Sequence, residues 1–312
     1  MLDLRRLAVL HQFSVSGSIT ATADALGYSA SAISQQLTAL ERETGAVLLE
    51  RTARSATLTD AGRLLARHAR TLLADSEAAE ADLAALLGRV SGFLHITTIP
   101  SLAAPVASAL ATLQREHPDL EIVMRQTTTD LAAANVADHL SDIAVADDWS
   151  MRAWRPPEGL KKRKVFTEAV VLAVPADHPL AASHRPLSAK EFSTAVAEMT
   201  WLCTPEGQGS RVAGDERLAE DSATPRRRWE FEGLRTIAEL VADGTGCALL
   251  PETVAMTQPP DRLRSLRLTP SMNRHVHLLT RASTATSPTI AVSVEAIMAR
   301  LQDVVELAES AV

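Results

Sequence analysis

The distribution of proline divides this chain into two unlike parts. None of its 15 prolines occurs before Pro100. Because proline breaks helices and central strands, the part before it can be almost continuously helical, whereas the rest must be interrupted by loops. The change falls near Ser91 and Gly92. A chain of 312 residues, 46% of them apolar, is long enough for two or three domains with substantial cores.

The N-terminal part contains a pattern of two short helices joined by a tight corner. Residues 18–26 and 30–41 have helical patterns. Gly27 can take the left-handed conformation that ends the first helix, and Ser29 can cap the second. Ile33, Leu37 and Leu40 form one apolar face of the second helix. Its opposite, polar face carries Ser31, Ser34, Gln35 and Thr38.

A buried stripe beside a short polar stripe is typical of a DNA recognition helix, which places its N-terminal residues on base edges in the major groove. Glutamine pairs naturally with adenine through two hydrogen bonds. Gln35, with Gln36 beside it, is therefore the first candidate for base readout. The other interpretation is a helix pair joined by a glycine turn that only packs.

The residues that follow favour DNA binding. Residues 48–51 and 57–59 flank residues 53–56 and predict a two-stranded wing, from which Arg51 and Arg54 could reach phosphates or the minor groove. The predicted unit is a winged helix-turn-helix. Its candidate DNA-binding residues are Ser29, Ser31, Ser34, Gln35, Gln36, Thr38, Arg51 and Arg54.

The order of residues in this region resembles the N-terminal domain of LysR-type transcriptional regulators. The positions that carry the resemblance are Leu26, Ser34, Leu40, Glu41, Gly45, Leu48, Glu50, Arg51, Arg54, Leu58, Thr59, Ala61 and Gly62. The pattern covers roughly residues 2–62. Ala30 departs from it, since the family often has glutamine there. The resemblance implies a DNA-binding transcription regulator that acts as a homodimer or homotetramer.

The charge of the chain is unusual for a DNA-binding protein. Its net charge is −7, and residues 1–62 contain five arginines and no lysine against six acidic residues. Binding must therefore depend on where the arginines lie and on dimerisation, which doubles the footprint. Residues 60–89 predict one long helix with an apolar stripe. This stripe could pair with the same helix of a second chain or pack on the C-terminal part of its own chain.

After Gly92, short apolar runs alternate with helical stretches, which indicates a mostly parallel sheet. Residues 92–96, 117–120, 142–145, 177–180 and 244–251 resemble the effector domain of the LysR family, a fold similar to the two-lobed periplasmic binding proteins. The resemblance implies that the chain crosses between lobes near residues 165–167 and again near residues 265–268. The expected fold is α/β, with a winged helix-turn-helix at 1–59, a linker helix at 60–90 and an effector domain at 91–312. Lobe I would comprise about 91–165 and 268–312, and lobe II about 166–267.

Open parallel sheets bind ligands beyond the carboxyl ends of their strands, where helix N-termini offer free amides to an anion. Hydroxyl-bearing residues at these ends predict an effector site that suits a carboxylate, although ordinary helix capping by Thr98 or Ser101 is an equal alternative. The candidate effector-binding residues are Thr97, Thr98, Ser101, Thr128, Thr129, Cys203, Thr204 and Leu234. Asp147 and Asp148 are expected in a solvated loop, because facing the cleft they would disfavour an anion. The basic runs 161–164 and 226–228 are expected to face solvent.

Other classes of protein find little support. No motif supplies a nucleophile, base and orienting group, so an enzyme is not expected. The glycine pairs at 207 and 209 and at 244 and 246 lack the dinucleotide fingerprint and are expected to be loops. Cys203 and Cys247, like His275 and His277, lack metal-site spacing. No cofactor, signal peptide or membrane span is expected, which favours a cytoplasmic protein.

The sequence thus predicts a regulator that binds double-stranded DNA, responds to a small-molecule effector between two lobes, and acts through DNA bending or contact with RNA polymerase. The alternative is a ligand-independent architectural or repressor dimer whose C-terminal lobes only mediate assembly.

Overall fold

A computed structural model describes residues 1–52, 55–88, 90–149 and 154–310. The helices are α1 Leu4–Ser16, α2 Ile19–Leu26, α3 Ala30–Thr44, α4 Asp60–Leu87, α5 Ala103–Glu116, α6 Thr129–Ala137, α7 Ala189–Glu198, α8 Gly209–Glu220, α9 Leu234–Ala242, α10 Glu252–Ala255 and α11 Pro288–Ser310. The strands are β1 Leu49–Arg51, β2 Ala56–Leu58, β3 Gly92–Thr98, β4 Leu120–Gln126, β5 Ile143–Asp148, β6 Leu160–Pro175, β7 Trp201–Cys203, β8 Arg228–Glu230, β9 Ala248–Pro251, β10 Leu263–Leu266 and β11 Met272–Arg281. Within these ranges, none of the helices combines the length and apolarity that a membrane crossing requires.

The first three helices and the β1–β2 hairpin form a winged helix-turn-helix. Ser29 caps α3 by accepting a hydrogen bond from the amide of Ala32, and Gly27 ends α2 in the left-handed region with a φ of 70°. Both local predictions are confirmed. The core of this domain is formed by apolar faces of all three helices and of the wing, including Leu7, Leu10, Phe13, Ile33, Leu37, Leu40 and Leu48.

Helix α4 leaves the wing and runs to the C-terminal part of the chain. Thr59 caps it by accepting from the amide of Gly62. Ala69 and Ala81 are buried along one side of the helix. Between these two residues, Glu77 accepts a hydrogen bond from Arg281 at 2.8 Å. The helix therefore contacts its own C-terminal part.

The other interpretation, in which α4 pairs with the same helix of a second chain, also keeps its support, because several leucines of the helix are exposed. Its exposed apolar side chains are Leu64, Leu72, Leu83, Leu86 and Leu87. Pairing with a second copy remains a prediction.

The C-terminal part is built on a seven-stranded sheet in the order β10-β6-β11-β5-β3-β4, with β9 also paired to β6. β3 runs parallel to β4 and to β5, as expected for strands joined by helices. The pairs that involve β6 or β11 are all antiparallel. The expectation of a mostly parallel sheet is therefore wrong for the sheet as a whole, because β6 and β11 are long strands that run past each other through both lobes.

Two groups of cores define the lobes. In lobe I, β3, β4 and β5 pack with α5, α6 and α11, and in lobe II, the strands β7, β9 and β10 pack with helices α7 to α10. β6 crosses from lobe I to lobe II, since Phe166 belongs to the first core and Val170 to the second. β11 crosses back between Met272 and Val276.

The return crossing thus lies later than the predicted residues 265–268. The reason is the pairing of β10, whose Leu263–Leu266 lie beside the end of β6 at 172–175. This pairing keeps Leu266 in the core of lobe II, and Leu268 stays there with it.

The basic run at 161–164 is largely exposed, as predicted, whereas Gly209 does not lie in the predicted loop. Residues 161–164 are part of β6, where Lys162 extends over the ring of Trp154 and Arg163 forms an ion pair with Glu295, so the basic run alternates along a strand. Gly209 is the first residue of α8 and not part of a loop.

Candidate functional site

The polar face of α3 is the candidate DNA-binding surface. Gln35 is exposed, and its side chain makes no hydrogen bond within the described residues. Gln36 accepts a hydrogen bond from Arg6 of α1, and Ser31 lies 3.0 Å from the Ser29 hydroxyl. Gln35 is therefore the glutamine of α3 whose amide is free to meet a base.

Arg51 of the wing lies against the same face of α3. Its guanidinium donates to Ser34 at 2.9 Å and to Thr38 at 3.2 Å. It also lies 3.7 Å from a carboxylate oxygen of Glu41. These contacts hold the arginine beside the recognition helix, where it could reach a phosphate. Arg54, the other predicted wing contact, lies outside the described residues.

Sequence reasoning did not assign a role to Glu41, although it belongs to the pattern that resembles the family. Its Oε1 accepts hydrogen bonds from the amides of Leu48 and Leu49. Glu41 thereby fixes the start of the wing against the end of α3, so it positions Arg51 without facing DNA itself.

The second candidate site is a cavity of about 320 Å³ between the two lobes, here called the effector cavity. Helix N-termini surround it: those of α6, α8 and α9, and the turn Pro100–Leu102 before α5. The residues that precede α6, α8 and α9 make no side-chain capping bond, so the first amides of these helices keep unused donors. Such amides favour a negatively charged ligand group.

Asp147 supplies a negative charge on the wall of the same cavity. Its carboxylate accepts from the hydroxyl of Thr129 and from the indole of Trp149, each at 2.6 Å. Arg274 lies 3.5 Å from it and is fully buried. Since Arg274 also pairs with buried Glu168, the three charges sum to −1. Exposed Glu232 adds a second negative charge at the cavity.

The expected solvated loop at Asp147 and Asp148 is therefore wrong. Both residues end strand β5, Asp148 is buried, and Asp147 faces the cavity. The partner that makes this burial favourable is Arg274, which is 127 positions away in the sequence and could not be identified from it.

Half of the predicted effector-binding residues line the cavity, namely Ser101, Thr128, Thr129 and Leu234. Ser101 accepts a hydrogen bond from Arg274, so its hydroxyl is partly engaged. No side-chain capping bond is made by Ser101 or by Thr98, so the alternative of ordinary helix capping does not describe them.

The other four predicted residues do not line the cavity. Thr97 is buried and bonds to the hydroxyl of Ser141, and Thr98 is buried and bonds to the carbonyl of Ile99. The thiol of Cys203 faces the carbonyl of Trp229, and Thr204 pairs with Ser210 at 2.7 Å. Each of these residues lies at or just after the end of a strand, as predicted. Its side chain is buried among other residues and does not reach the cavity.

Several lining residues were not among the eight predicted effector-binding residues, although Thr127, Ile99 and Pro100 adjoin predicted ones in the sequence. They are Ile99, Pro100, Gln126, Thr127, Asp147, Trp149, Gln208, Gly209, Ser210, Glu232 and Gly233. The α8 residues were missed because Gln208 is not a usual capping residue and the helix has a glycine at its first position. Gln126 could have been found, since it ends β4 on the same edge as Thr98.

Helix α6 connects the effector cavity to the DNA-binding domain. Its N-terminal Thr129 bonds to Asp147, as described above. After its last turn, Asp138 lies 4.0 Å from the ring of His11 on α1, and His139 bonds to Glu77 of α4 at 2.7 Å. His139 has a φ of 61°, which turns the chain sharply after the helix. The nine-residue helix α6 thus borders the cavity at its N-terminal end, and the residues after its C-terminal end contact α1 and α4.

Burial, hydrogen bonds and nearby charges shift the pKa values of the groups at this contact. Burial, with the nearby His139 and Arg70, lowers the pKa of His11 to about 4. Burial acts to raise the pKa of Glu77, but the hydrogen bond from His139 and the charge of Arg281 outweigh it and lower the pKa. At neutral pH the contact therefore contains a neutral His11 and an ionised Glu77.

Two protein families match the chain. Residues 4–63 match a family described as bacterial regulatory helix-turn-helix protein, lysR family, and residues 87–302 match the LysR substrate binding domain. The nitrogen assimilation regulatory protein nac of Escherichia coli (strain K12) is 29% identical over 259 residues, which cover 81% of this chain and 80% of that protein. A probable hydrogen peroxide-inducible genes activator of Streptomyces viridosporus is 30% identical over 269 residues, which cover 84% of this chain and 83% of the relative.

Solved structures share the fold over nearly the whole chain. A full-length OxyR variant from Pseudomonas aeruginosa has a TM-score of 0.67 at 20% identity, with 96% of this chain and 98% of that chain covered. Full-length LysG from Corynebacterium glutamicum, solved with bound effector Arg, has a TM-score of 0.59 at 21% identity, with 97% and 99% covered.

Proposed function

The chain belongs to the LysR family of non-enzymatic DNA-binding transcription regulators, and we propose that it alters its DNA complex in response to a zwitterionic small molecule held in the effector cavity. The observation that carries this proposal is the combination of uncapped helix N-termini with Asp147 around one cavity. The amides favour a carboxylate, and the acidic side chains favour a positively charged group. An amino acid or a close relative satisfies both.

The charge balance argues against a simple carboxylate as the effector. The cluster of Asp147, Glu168 and Arg274 has a net charge of −1, and Glu232 lies close by. A ligand that brings only negative charge would gain from the amides and lose against these groups. LysG of Corynebacterium glutamicum, which shares the fold, was solved with bound effector Arg, a molecule that carries both charges.

The proposed route of the signal is helix α6. A ligand group that reaches Asp147 competes for, or strengthens, the bond between Asp147 and Thr129 at the start of the helix. A shift of α6 would then change the contacts of His139 with Glu77 and of Asp138 with His11. Such coupling requires that the ligand bind one arrangement of the domains more tightly than the other.

On DNA, we propose that a dimer or tetramer presents paired α3 helices to an interrupted palindrome of double-stranded DNA in the cytoplasm. The change in their spacing would alter DNA bending or contact with RNA polymerase. The alternative, an assembly-only role for the lobes, is not favoured, because a cavity between the lobes that is bordered by uncapped helix N-termini has no part in assembly.

A peroxide-sensing role is a second candidate, suggested by the name of the Streptomyces viridosporus relative. The cysteines of this chain argue against it. Burial raises the pKa of Cys203, and burial raises that of Cys247 to about 12. Since the thiolate is the form that reacts with peroxide, both residues are expected to react slowly.

The test is ligand-induced stabilisation of the full chain. L-Arginine, L-glutamine and L-aspartate are each compared with the amine that lacks the carboxylate and the acid that lacks the amino group. A zwitterion at about a hundredfold excess over Kd should stabilise the protein by about 2.7 kcal/mol and raise its Tm, and the matched half-molecules should not.

Matched variants show where the ligand binds. Asp147→Asn should abolish the effect, whereas Asp119→Asn, a change of an exposed aspartate away from the cavity, should preserve it. If the acids alone raise the Tm as much as the zwitterions, the effector class is wrong. If none of these probes raises it, the proposed effector class fails, while DNA binding stays testable by footprinting.

A further inference from the structure

A second cavity of about 230 Å³ lies beside the effector cavity and shares Ser101 with it. We call it the arginine groove. Arg235 of α9 and Thr253 of α10 come from lobe II, and Arg300 of α11 comes from lobe I. Leu102 and Val304 give the groove an apolar part. The groove therefore lies between the lobes, as the effector cavity does, but with different chemistry.

The lining of the groove has two positive charges and no carboxylate. Arg235 forms no ion pair or hydrogen bond to any described residue. The Nε of Arg300 is buried without a hydrogen-bond partner, and its guanidinium reaches only Asp303, at 3.8 Å. Two guanidinium groups that face one cavity repel each other, so the groove as it stands favours an incoming negative charge.

Glu168, a buried carboxylate that contacts Thr253, forms no ion pair with either of these arginines within the described residues. Glu168 accepts a hydrogen bond from the amide of Thr253 at 2.9 Å, but its other oxygen is engaged twice by Arg274. The hydroxyl of Thr253 has no partner among the residues that the structure describes. The groove thus offers two guanidinium groups and one free hydroxyl to a ligand.

We propose that the arginine groove binds a small organic dianion, such as a dicarboxylate or a phosphate monoester. One charged group of the ligand pairs with Arg235 and the other with Arg300, and its carbon atoms contact Leu102 and Val304. Guanidinium suits carboxylate and phosphate because it donates two parallel hydrogen bonds to either. A cavity of this size holds a ligand of a few carbon atoms.

This ligand would join the two lobes, since its two partners belong to different lobes. Anything that fixes the angle between the lobes changes the affinity of the neighbouring effector cavity, and the reverse follows by linkage. The arginine groove would then sense a second metabolite. The proposal concerns binding in the groove and does not depend on the identity of the effector.

The test is calorimetric titration of the full chain at constant ionic strength. The probes are glutarate and glycerol 3-phosphate, with the monoanion propionate and the neutral glutaramide as controls. One or both dianions should bind, and the controls should not. Comparison of the two dianions shows whether carboxylate or phosphate is preferred.

Three substitutions of arginine by glutamine locate the site. Arg235→Gln and Arg300→Gln should each weaken dianion binding by about tenfold or more, whereas Arg226→Gln, in the exposed basic run, should not change it. Arg235 is exposed, so its variant keeps the test valid even if Arg300→Gln lowers the stability of the protein.

The proposal is overturned if neither dianion binds at about 10 mM, a concentration that would reveal even a weak site. It is also overturned if the three arginine variants bind equally well. If Asp147→Asn weakens dianion binding and the arginine variants do not, the dianion occupies the effector cavity, and the arginine groove is not a site.

Discussion

At the scale of single residues, Gln35 is the side chain on which sequence-specific readout should depend. It is exposed on the polar face of α3, and its side-chain amide makes no hydrogen bond within the described residues. Gln35→Ala should relax the preference at one base position by about 1–3 kcal/mol, because the bidentate contact with adenine is lost. Competition footprinting with single-base operator variants measures this preference.

The matched control for Gln35 is Gln114→Ala, an exposed glutamine on α5. It should leave the base preference unchanged. An unchanged preference in Gln35→Ala itself would assign base readout to other residues of α3.

His11 should make the contact between the domains sensitive to acid. Its pKa falls from 6.5 to about 4 on folding because the ring is buried. The unfolded chain therefore takes up a proton below pH 6.5 that the folded chain refuses until about pH 4, so stability present at pH 7 is lost across this window. The loss should approach about 3 kcal/mol at pH 4.

His11→Leu should flatten the pH dependence of unfolding between pH 6.5 and 4, as followed by urea titration. Part of the slope should remain, since burial also lowers the pKa of His277 to about 4. The variant His184→Leu removes an exposed histidine and should retain the full slope. If stability changed with pH to the same extent in both variants, the folded protein would take up a proton at His11 as readily as the unfolded chain does, and the prediction would be wrong.

Local residue roles could be predicted from the sequence, and roles that depend on distant partners could not. Ser29 and Gly27 act on backbone groups within a few residues, so their types and spacing suffice. Asp147 has the same sequence signature as a surface aspartate, and only Arg274 on a different strand explains why it ends up in the cavity wall.

At the scale of elements, the start of α4 can pack closely against the residues that precede the wing because Gly62 has no side chain. A Cβ there would lie 2.2 Å from the backbone oxygen of Leu48. Gly62→Ala should therefore push α4 away from the wing and destabilise the N-terminal domain by about 1–3 kcal/mol. Thermal unfolding of the full chain measures the change.

The same substitution at Gly214 is the matched control. Gly214 lies within α8, where a Cβ would meet the Trp201 ring at 3.9 Å, an ordinary contact. Gly214→Ala should be neutral or stabilise by up to about 1 kcal/mol, because alanine favours the helix. Equal destabilisation by both changes would show that close packing at Gly62 is not what holds α4.

Elements with a clear apolar period could be predicted, and those that depend on pairing could not. The long helix predicted for residues 60–89 is present as α4, Asp60–Leu87. The first half of β6 was hidden by the basic run at 161–164, which forms a strand because it pairs with β11 along one side, while most of its charged side chains stay exposed. The start of α8 was hidden by Gly209.

At the scale of the whole molecule, the weak charge of the DNA-binding domain and the exposed face of α4 have one explanation. A domain with five arginines and six acidic residues in positions 1–62 gains little from a general attraction to phosphates. Two such domains on one DNA gain from each other's presence, because the second binds at high effective concentration. The long helix α4, with its exposed leucines, could join two chains and so bring two DNA-binding domains to one DNA.

Replacing Leu83 and Leu86 together by glutamate should therefore separate the subunits. Both side chains are more than half exposed within one chain, so the change should not unfold it. Charges on this stripe would be buried in a helix pair, which strongly disfavours the pair. Light scattering after size exclusion should report a monomer, and affinity for the operator should fall by about a hundredfold. Val212→Glu, at an apolar position on α8 that is also about half exposed, should leave both the oligomeric state and the operator affinity unchanged. A double variant that stays dimeric would place the subunit contact on another surface and leave the stripe of α4 without a role in assembly.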